Sequence, residues 1–152
     1  MRIVVATDGS RGGCAAVKFA SRLASRDPGT ELVILTIGQP LPAEQGDCNP
    51  RPTEVESIEH GRLRVRERKS EIAGIQARYR FVPARPQSGI PETISREADR
   101  LKADLLVIGS EGRDTLSEWV LGGVALRLIY VTRRPVLVVR PPRRRKKLSA
   151  TA

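Results

Sequence analysis

Residues 104–124 read DLLVIGSEGRDTLSEWVLGGV, and this stretch determines the class of fold that we expect. It opens with the apolar run Leu105–Ile108, which ends at Gly109. A short apolar run that is rich in β-branched residues and ends in glycine is typical of a buried strand. Strands of parallel sheets are apolar throughout because both faces are covered. The stretch therefore predicts a parallel strand with a ligand-binding loop at its carboxyl end.

Four glycines suit that loop: Gly109, Gly112, Gly122 and Gly123. Glycine has no Cβ, so its main chain can lie close to a ligand, and successive N–H groups can form a nest for an anion. Residues 124–131 have helical spacing, so the glycine pair would lie at a helix start, which favours phosphate. The loop thus predicts a polyphosphate site. The alternative is a long connection in which the glycines only mark turns.

The rest of the chain alternates strand patterns with helix patterns. Strands are predicted at Arg2–Thr7, Glu31–Ile37, Arg78–Val82 and Pro135–Val139. Helices are predicted around residues 16–24, 53–76, 88–103 and 124–131, and a mobile loop at 38–52. This order predicts an α/β, single-domain, Rossmann-like open five-stranded parallel sheet with helices on both faces.

Two of these strands carry signals of a sheet edge. Arg78–Val82 alternates polar with apolar residues, which indicates a strand exposed on one side. The last strand begins with Pro135 and is otherwise apolar, which fits an edge strand covered by a partner subunit.

Composition and charge exclude several classes of protein. The 152 residues suffice for one core, and no apolar run has the length of a membrane span. The first residues form a strand pattern rather than a signal peptide, so we expect a cytoplasmic protein. There is no Walker lysine motif, Ser/His/Asp set or metal-ligand spacing, so we expect no catalytic residues.

The net charge of +10 is concentrated near the carboxyl end. Six of the 27 Lys and Arg residues lie in 140–147, RPPRRRKK, while the other 21 are set against 17 acidic residues. We therefore expect one domain at 1–140, which would carry the predicted polyphosphate site, and a basic, disordered tail at 141–152. Such a tail has weak, salt-sensitive affinity for polyanions.

Five segments, taken in order, resemble the universal stress protein family. They are VATDGS at 5–10, ELVILTI at 31–37, the SGIPETI segment, VIGSEG with VLGGV between 107 and 124, and RPVLVV at 134–139. The resemblance implies an ATP-binding stress regulator with Mg²⁺, at most slow ATP hydrolysis, and a homodimer formed through Val136–Val139. It also implies that Gly109, Gly112 and Gly122 match the spacing of the family's ATP-binding members, with Gly123 where a hydroxyl residue is usual.

The resemblance also implies which side chains meet the nucleotide. Asp8 would meet the ribose or adenine end, and Ala6, Thr7 and Ile37 would line the base pocket. Ile108 and Val124 would flank the nucleotide. Asp8 could instead cap the first helix, and Glu111 would either repel phosphate or face solvent.

Three functions remain open at this point. The first is an ATP-binding regulator, and the second is a stress protein with an empty pocket that acts through protein contacts. The third is weak association with nucleic acid through the basic tail.

Overall fold

The structure is a computed structural model, and it describes residues 1–38, 75, 77–83, 87–111 and 121–142. Within these residues the strands are β1 (Arg2–Ala6), β2 (Glu31–Gly38), β3 (Ala77–Pro83), β4 (Leu105–Gly109) and β5 (Val136–Val139). The helices are α1 (Arg11–Ala24), α2 (Ile90–Arg100) and α3 (Gly123–Val131). The helix predicted at 53–76 falls outside the described residues, apart from Ile75. Of the predicted loop 38–52, only Gly38 is described, as the last residue of β2.

The five strands form one sheet in the order β3-β2-β1-β4-β5, and every neighbouring pair is parallel. The predicted fold class is therefore confirmed. β3 and β5 are the outer strands of this sheet, as the alternation in β3 and the proline before β5 predict. From β1 the chain adds β2 and β3 on one side of the sheet, and then β4 and β5 on the other side. The carboxyl ends of β1 and β4 are therefore the switch point where ligands bind in such folds.

Helices cover both faces of the sheet, because the strands are apolar on both sides. One face packs the β-strand side chains Ile3, Val5 and Val107 against Ala16 and Ala20 of α1. Small residues on this stripe of α1 bring the helix axis close to the sheet.

The opposite face packs against α2 and α3. Its core includes Val4 and Leu106 from the strands, with Ala98 and Leu128 from the helices. α2 begins where the sequence predicts, because Pro91 suits the first turn and follows the N-cap Gly89. Among the helices of the described residues, none has the length and apolar character needed to cross a membrane.

Candidate functional site

The carboxyl ends of β1, β2 and β4 lie side by side at the switch point. Ala6 pairs with Leu35 of β2 and with Ile108 of β4. The next residue continues this order, because the Thr7 N–H donates to the Leu35 carbonyl at 2.9 Å. Parallel pairing thus places the start of the β1–α1 turn beside the start of the loop that follows β4.

The turn after β1 is fixed by its own side chains. The Ser10 N–H donates to Asp8 Oδ1 at 2.9 Å, and the Gly9 N–H donates to Thr7 Oγ1 at 3.2 Å. Gly9 has a φ of 83°, a conformation that glycine adopts without strain. Asp8 and Thr7 are half-buried at this edge of the sheet. The turn therefore holds the Asp8 carboxylate in a set position beside the ends of β1 and β4.

Ser10, and not Asp8, caps helix α1. The Gly13 N–H donates to Ser10 Oγ at 3.1 Å, and the Cys14 N–H donates to the Ser10 carbonyl at 2.8 Å. Ser10 Oγ in turn lies 3.4 Å from the Glu111 carbonyl oxygen, to which it donates. Ser10 therefore bonds one of the N–H groups at the amino end of α1 that have no acceptor within the helix, that of Gly13.

Two glycines allow the start of α1 to lie directly against the loop after β4. A Cβ on Gly109 would lie 2.9 Å from Gly12 Cα and closer still to the Gly12 carbonyl. A Cβ on Gly12 would lie 3.0 Å from the Glu111 carbonyl carbon and closer still to its oxygen. The main chain of Gly12 therefore contacts the main chain of both Gly109 and Glu111, and Glu111 fills the space in front of α1. The Glu111 residue as a whole is half-buried.

Ser110 connects β4 to both β5 and α3 through its main chain. Its N–H donates to the Val139 carbonyl at 2.8 Å, and its carbonyl accepts from the Gly122 N–H at 2.8 Å. The loop that leaves β4 is thereby tied at both of its described ends. The amino end of α3 lies against the carboxyl end of the sheet as a result.

Helix α3 starts differently from α1. Its N-cap Gly122 makes no side-chain capping bond, and the first helical hydrogen bond runs from the Leu126 N–H to the Gly122 carbonyl at 2.9 Å. The N–H groups of Gly123 and Val124 precede that bond and have no acceptor within the helix. A Cβ on Gly123 would meet no atom of the described residues within 4 Å. This helix start is therefore open, and its partial positive charge favours an anion.

The predicted site residues take different positions around this edge. Ala6 and Ile108 are buried, with 5% and 6% of their surface exposed, so their side chains belong mainly to the core. Ile37 is half-buried, and Val124 is 36% exposed. Gly109, Gly122 and Gly123 lie at the end of β4 and the start of α3. Gly112 lies outside the described residues.

Three residues of this edge were not predicted from the sequence. Ser10 and Gly12 build the α1 start, and Ser110 joins the end of β4 to α3. For Ser10 and Gly12 the signal is a serine and a glycine between a buried strand and a helical pattern, which marks a helix start. Ser110 could have been found because it is the first polar residue after the apolar run of β4.

Comparisons with known proteins agree with this geometry. The universal stress protein family model matches residues 1–140. A universal stress protein of Mycolicibacterium smegmatis is 34% identical over 142 residues, which are 91% of this chain and 45% of that protein. The chain thus spans less than half the length of this relative.

Solved structures show the same fold. A universal stress protein crystallised in complex with cAMP is 25% identical, with a TM-score of 0.65 over 93% of this chain and 98% of that one. A family protein of Arabidopsis thaliana with AMP bound is 18% identical, with a TM-score of 0.64 over 93% of this chain and 92% of that one. The second likeness supports the fold alone.

Proposed function

The chain belongs to the universal stress protein family, and from this premise we propose that it binds an adenine nucleotide at the carboxyl ends of β1 and β4. The phosphates would lie at the start of α3. The base and ribose would lie toward Asp8 and β2. The nucleotide we propose is ATP, and the protein would act as a stress-response regulator whose contacts depend on the bound nucleotide.

The contrast between the two helix starts is the observation that carries this proposal. Ser10 and the Glu111 main chain occupy the start of α1. The start of α3 has a glycine cap and open space at Gly123. Since both helices begin at the same edge of the sheet, the open one is the place for a phosphate chain.

The other contacts follow from the resemblance and from the position of each residue. Main-chain N–H groups of Gly112, Gly123 and Val124 would hold phosphate oxygens, while Gly109 and Gly122 would let the main chain approach the phosphates closely. The Gly122 N–H itself already donates to the Ser110 carbonyl. Asp8 would accept hydrogen bonds from ribose hydroxyls, as a strand-end carboxylate does in dinucleotide folds. Ala6, Thr7 and Ile37 would line the base pocket, and Ile108 would contribute only the small part of its surface that the core leaves exposed.

Mg²⁺ would enter with the triphosphate. This ion keeps several waters and is commonly held through substrate phosphates rather than by a protein cage. In the described part of the chain no cluster of three or more His, Cys, Asp or Glu is arranged to hold a metal ion. The phosphate oxygens would therefore supply the ligands, and no residue is assigned to the metal.

Calorimetric titration with ATP, AMP and cAMP, each with and without Mg²⁺, tests this proposal. We expect heat of binding for ATP that changes with Mg²⁺, and turnover of bound ATP that is slow or absent. A protein that shows no heat and no thermal shift at millimolar nucleotide would instead act through protein contacts alone.

We further propose a homodimer formed through β5. The Ser110 N–H donates to the Val139 carbonyl, and the Leu106 N–H donates to the Pro135 carbonyl. Odd-numbered residues of β5 therefore face β4, while the main chain of Val136 and Val138 faces away from the sheet. Val138→Pro removes an outward N–H without breaking the pairing with β4. Light scattering should show a dimer for the wild type and a monomer for this variant, and an unchanged mass would exclude the β5 interface.

The basic tail is a second candidate binding element, favoured by its charge. The Arg11 guanidinium donates to the Pro142 carbonyl, so the chain leaves β5 beside the start of α1. We propose that 1–140 is one nucleotide-binding domain in the cytoplasm and that 141–152 adds weak contact with polyanions. Truncation after Pro142 keeps the Arg11 contact and should abolish retardation of DNA at low salt. Equal retardation by the truncated chain would refute a role for the tail.

A further inference from the structure

The Ser110 hydroxyl differs from the other buried polar side chains of the described residues. Those other side chains belong to Ser21, Thr93, Ser95 and Glu97. Ser21 Oγ donates to the Val17 carbonyl at 2.8 Å, and Ser95 Oγ donates to the Val131 carbonyl at 3.4 Å.

The two remaining examples are also bonded. Thr93 Oγ1 accepts from the Arg96 guanidinium at 3.3 Å, and the Glu97 carboxylate is paired with Arg80 at 2.6 Å. Among the described residues, Ser110 Oγ is the buried polar side-chain group without a hydrogen-bond partner, although Ser110 is only 5% exposed. Buried hydroxyls in native proteins are nearly always bonded, so an exception calls for an explanation.

The strand pattern gives the direction of this side chain. Ser110 follows β4, and its N–H continues the β4–β5 ladder by donating to the Val139 carbonyl at 2.8 Å. Side chains of a strand alternate between faces, so Ser110 lies on the same face as Leu106 and Ile108. These two residues pack in the core beneath α2 and α3. The Ser110 hydroxyl therefore lies on the face from which α3 starts.

The start of α3 is also next to Ser110 in the main-chain network. The Gly122 N–H donates to the Ser110 carbonyl, and α3 begins at the following residue, Gly123. α3 has nine residues, so the N–H groups of its first turn form a proper helix end. An unbonded hydroxyl and an uncapped helix start thus lie next to each other, and both are hydrogen-bond donors of the kind that an anion accepts.

We propose that Ser110 Oγ donates a hydrogen bond to a phosphate oxygen of the bound nucleotide. This inference rests on the proposed function and adds a residue to its site. It also explains how the site can work with Gly123, which lacks the hydroxyl usual at that position. The hydroxyl that would otherwise come from the start of α3 comes from the end of β4 instead. Ligands with a phosphate would use Ser110, whereas adenosine would not.

Calorimetric titrations of wild type and Ser110→Ala with ATP, AMP and adenosine test the assignment. A hydrogen bond to a charged group contributes enough that its loss should weaken ATP and AMP at least about tenfold. Adenosine affinity should stay the same. Ser21→Ala is the matched control, because Ser21 is a buried serine on α1 whose hydroxyl is already bonded.

The stability of the ligand-free variant gives a second readout. Removing an unbonded buried hydroxyl should leave the melting temperature of the free protein unchanged or higher, while the shift caused by ATP becomes smaller. Ser21→Ala should keep the full shift.

Each contrary outcome has a separate meaning. Equal ATP affinity in wild type and Ser110→Ala would overturn the role of Ser110 and leave the nucleotide site intact. A lower melting temperature of free Ser110→Ala would show that the hydroxyl is bonded within the protein, and would also overturn it. Absence of binding by the wild type would overturn the proposed function itself.

Discussion

Substituting Gly12 by alanine tests the contact between the α1 start and the loop after β4. The added Cβ would lie 3.0 Å from the Glu111 carbonyl carbon and closer to its oxygen, so main chain must move. Overpacking of this kind costs about 1–3 kcal/mol. Alanine also favours a helix over glycine by up to about 1 kcal/mol, which offsets part of that cost.

Gly123→Ala is the matched control for this effect. Gly123 also lies in the first turn of a helix, but its added Cβ would meet nothing within 4 Å among the residues that the structure describes. The helix preference is common to both variants, so the difference between them isolates the overlap at Gly12. We expect Gly12→Ala to melt about 2–12 °C below Gly123→Ala, from about 2–4 °C per kcal/mol for a chain of this size.

Thermal unfolding of the two purified variants, followed by circular dichroism, gives this difference directly. Equal melting temperatures, or a lower one for Gly123→Ala, would refute the close approach of α1 to Glu111. In that case the start of α1 would also be available to an anion, and the contrast between the two helix starts would be lost.

Three further predictions concern the site and the α2–α3 layer. Gly123→Ser should tighten ATP binding at least about tenfold in calorimetry, because the described residues leave the position open and the hydroxyl adds one hydrogen bond to a charged group. Gly123→Ala should not tighten it. Glu97→Ala should destabilise the fold by about 1–3 kcal/mol in urea unfolding, because it leaves Arg80 without its partner at 2.6 Å. Glu92→Ala should cost less than Glu97→Ala, since its pair with Arg127 is exposed. Hydrogen bonds from the Glu92 backbone N–H and then from Arg127 hold the pKa of the Glu92 carboxyl below its ordinary value of 4.5. The contribution of this carboxylate to stability should therefore be complete above pH 4.5 and disappear as the pH falls through the folded-state pKa. Glu92→Gln should lack this part of the acid unfolding profile.

The fold could be predicted from the sequence because its signals are local. Apolar runs such as Leu105–Ile108 mark the strands, and Pro91 and Pro135 mark a helix start and an edge strand. The alternation of strands and helices then leaves few topologies. The observed sheet order and both predicted edges agree with this reasoning.

The site could be predicted only in part, because its decisive contacts join residues far apart in the chain. The glycine spacing indicated a loop at Gly109 and Gly122, but not that Gly12 would lie against Gly109. Nor did the sequence show that Ser10 would take the capping role considered for Asp8. The unbonded hydroxyl of Ser110 depends on the β4–β5 pairing and on α3, so only the folded arrangement shows it.

The central claim is that main-chain N–H groups at the start of α3 bind the phosphates, and an amide NMR titration with ATP and Mg²⁺ tests it most directly. The account predicts that the resonances of Gly109, Gly122, Gly123 and Val124 shift strongly, while Gly29, in the turn before β2, does not move. Shifts confined to Gly12 and Gly13 at the start of α1, or none at any of these residues, would contradict it.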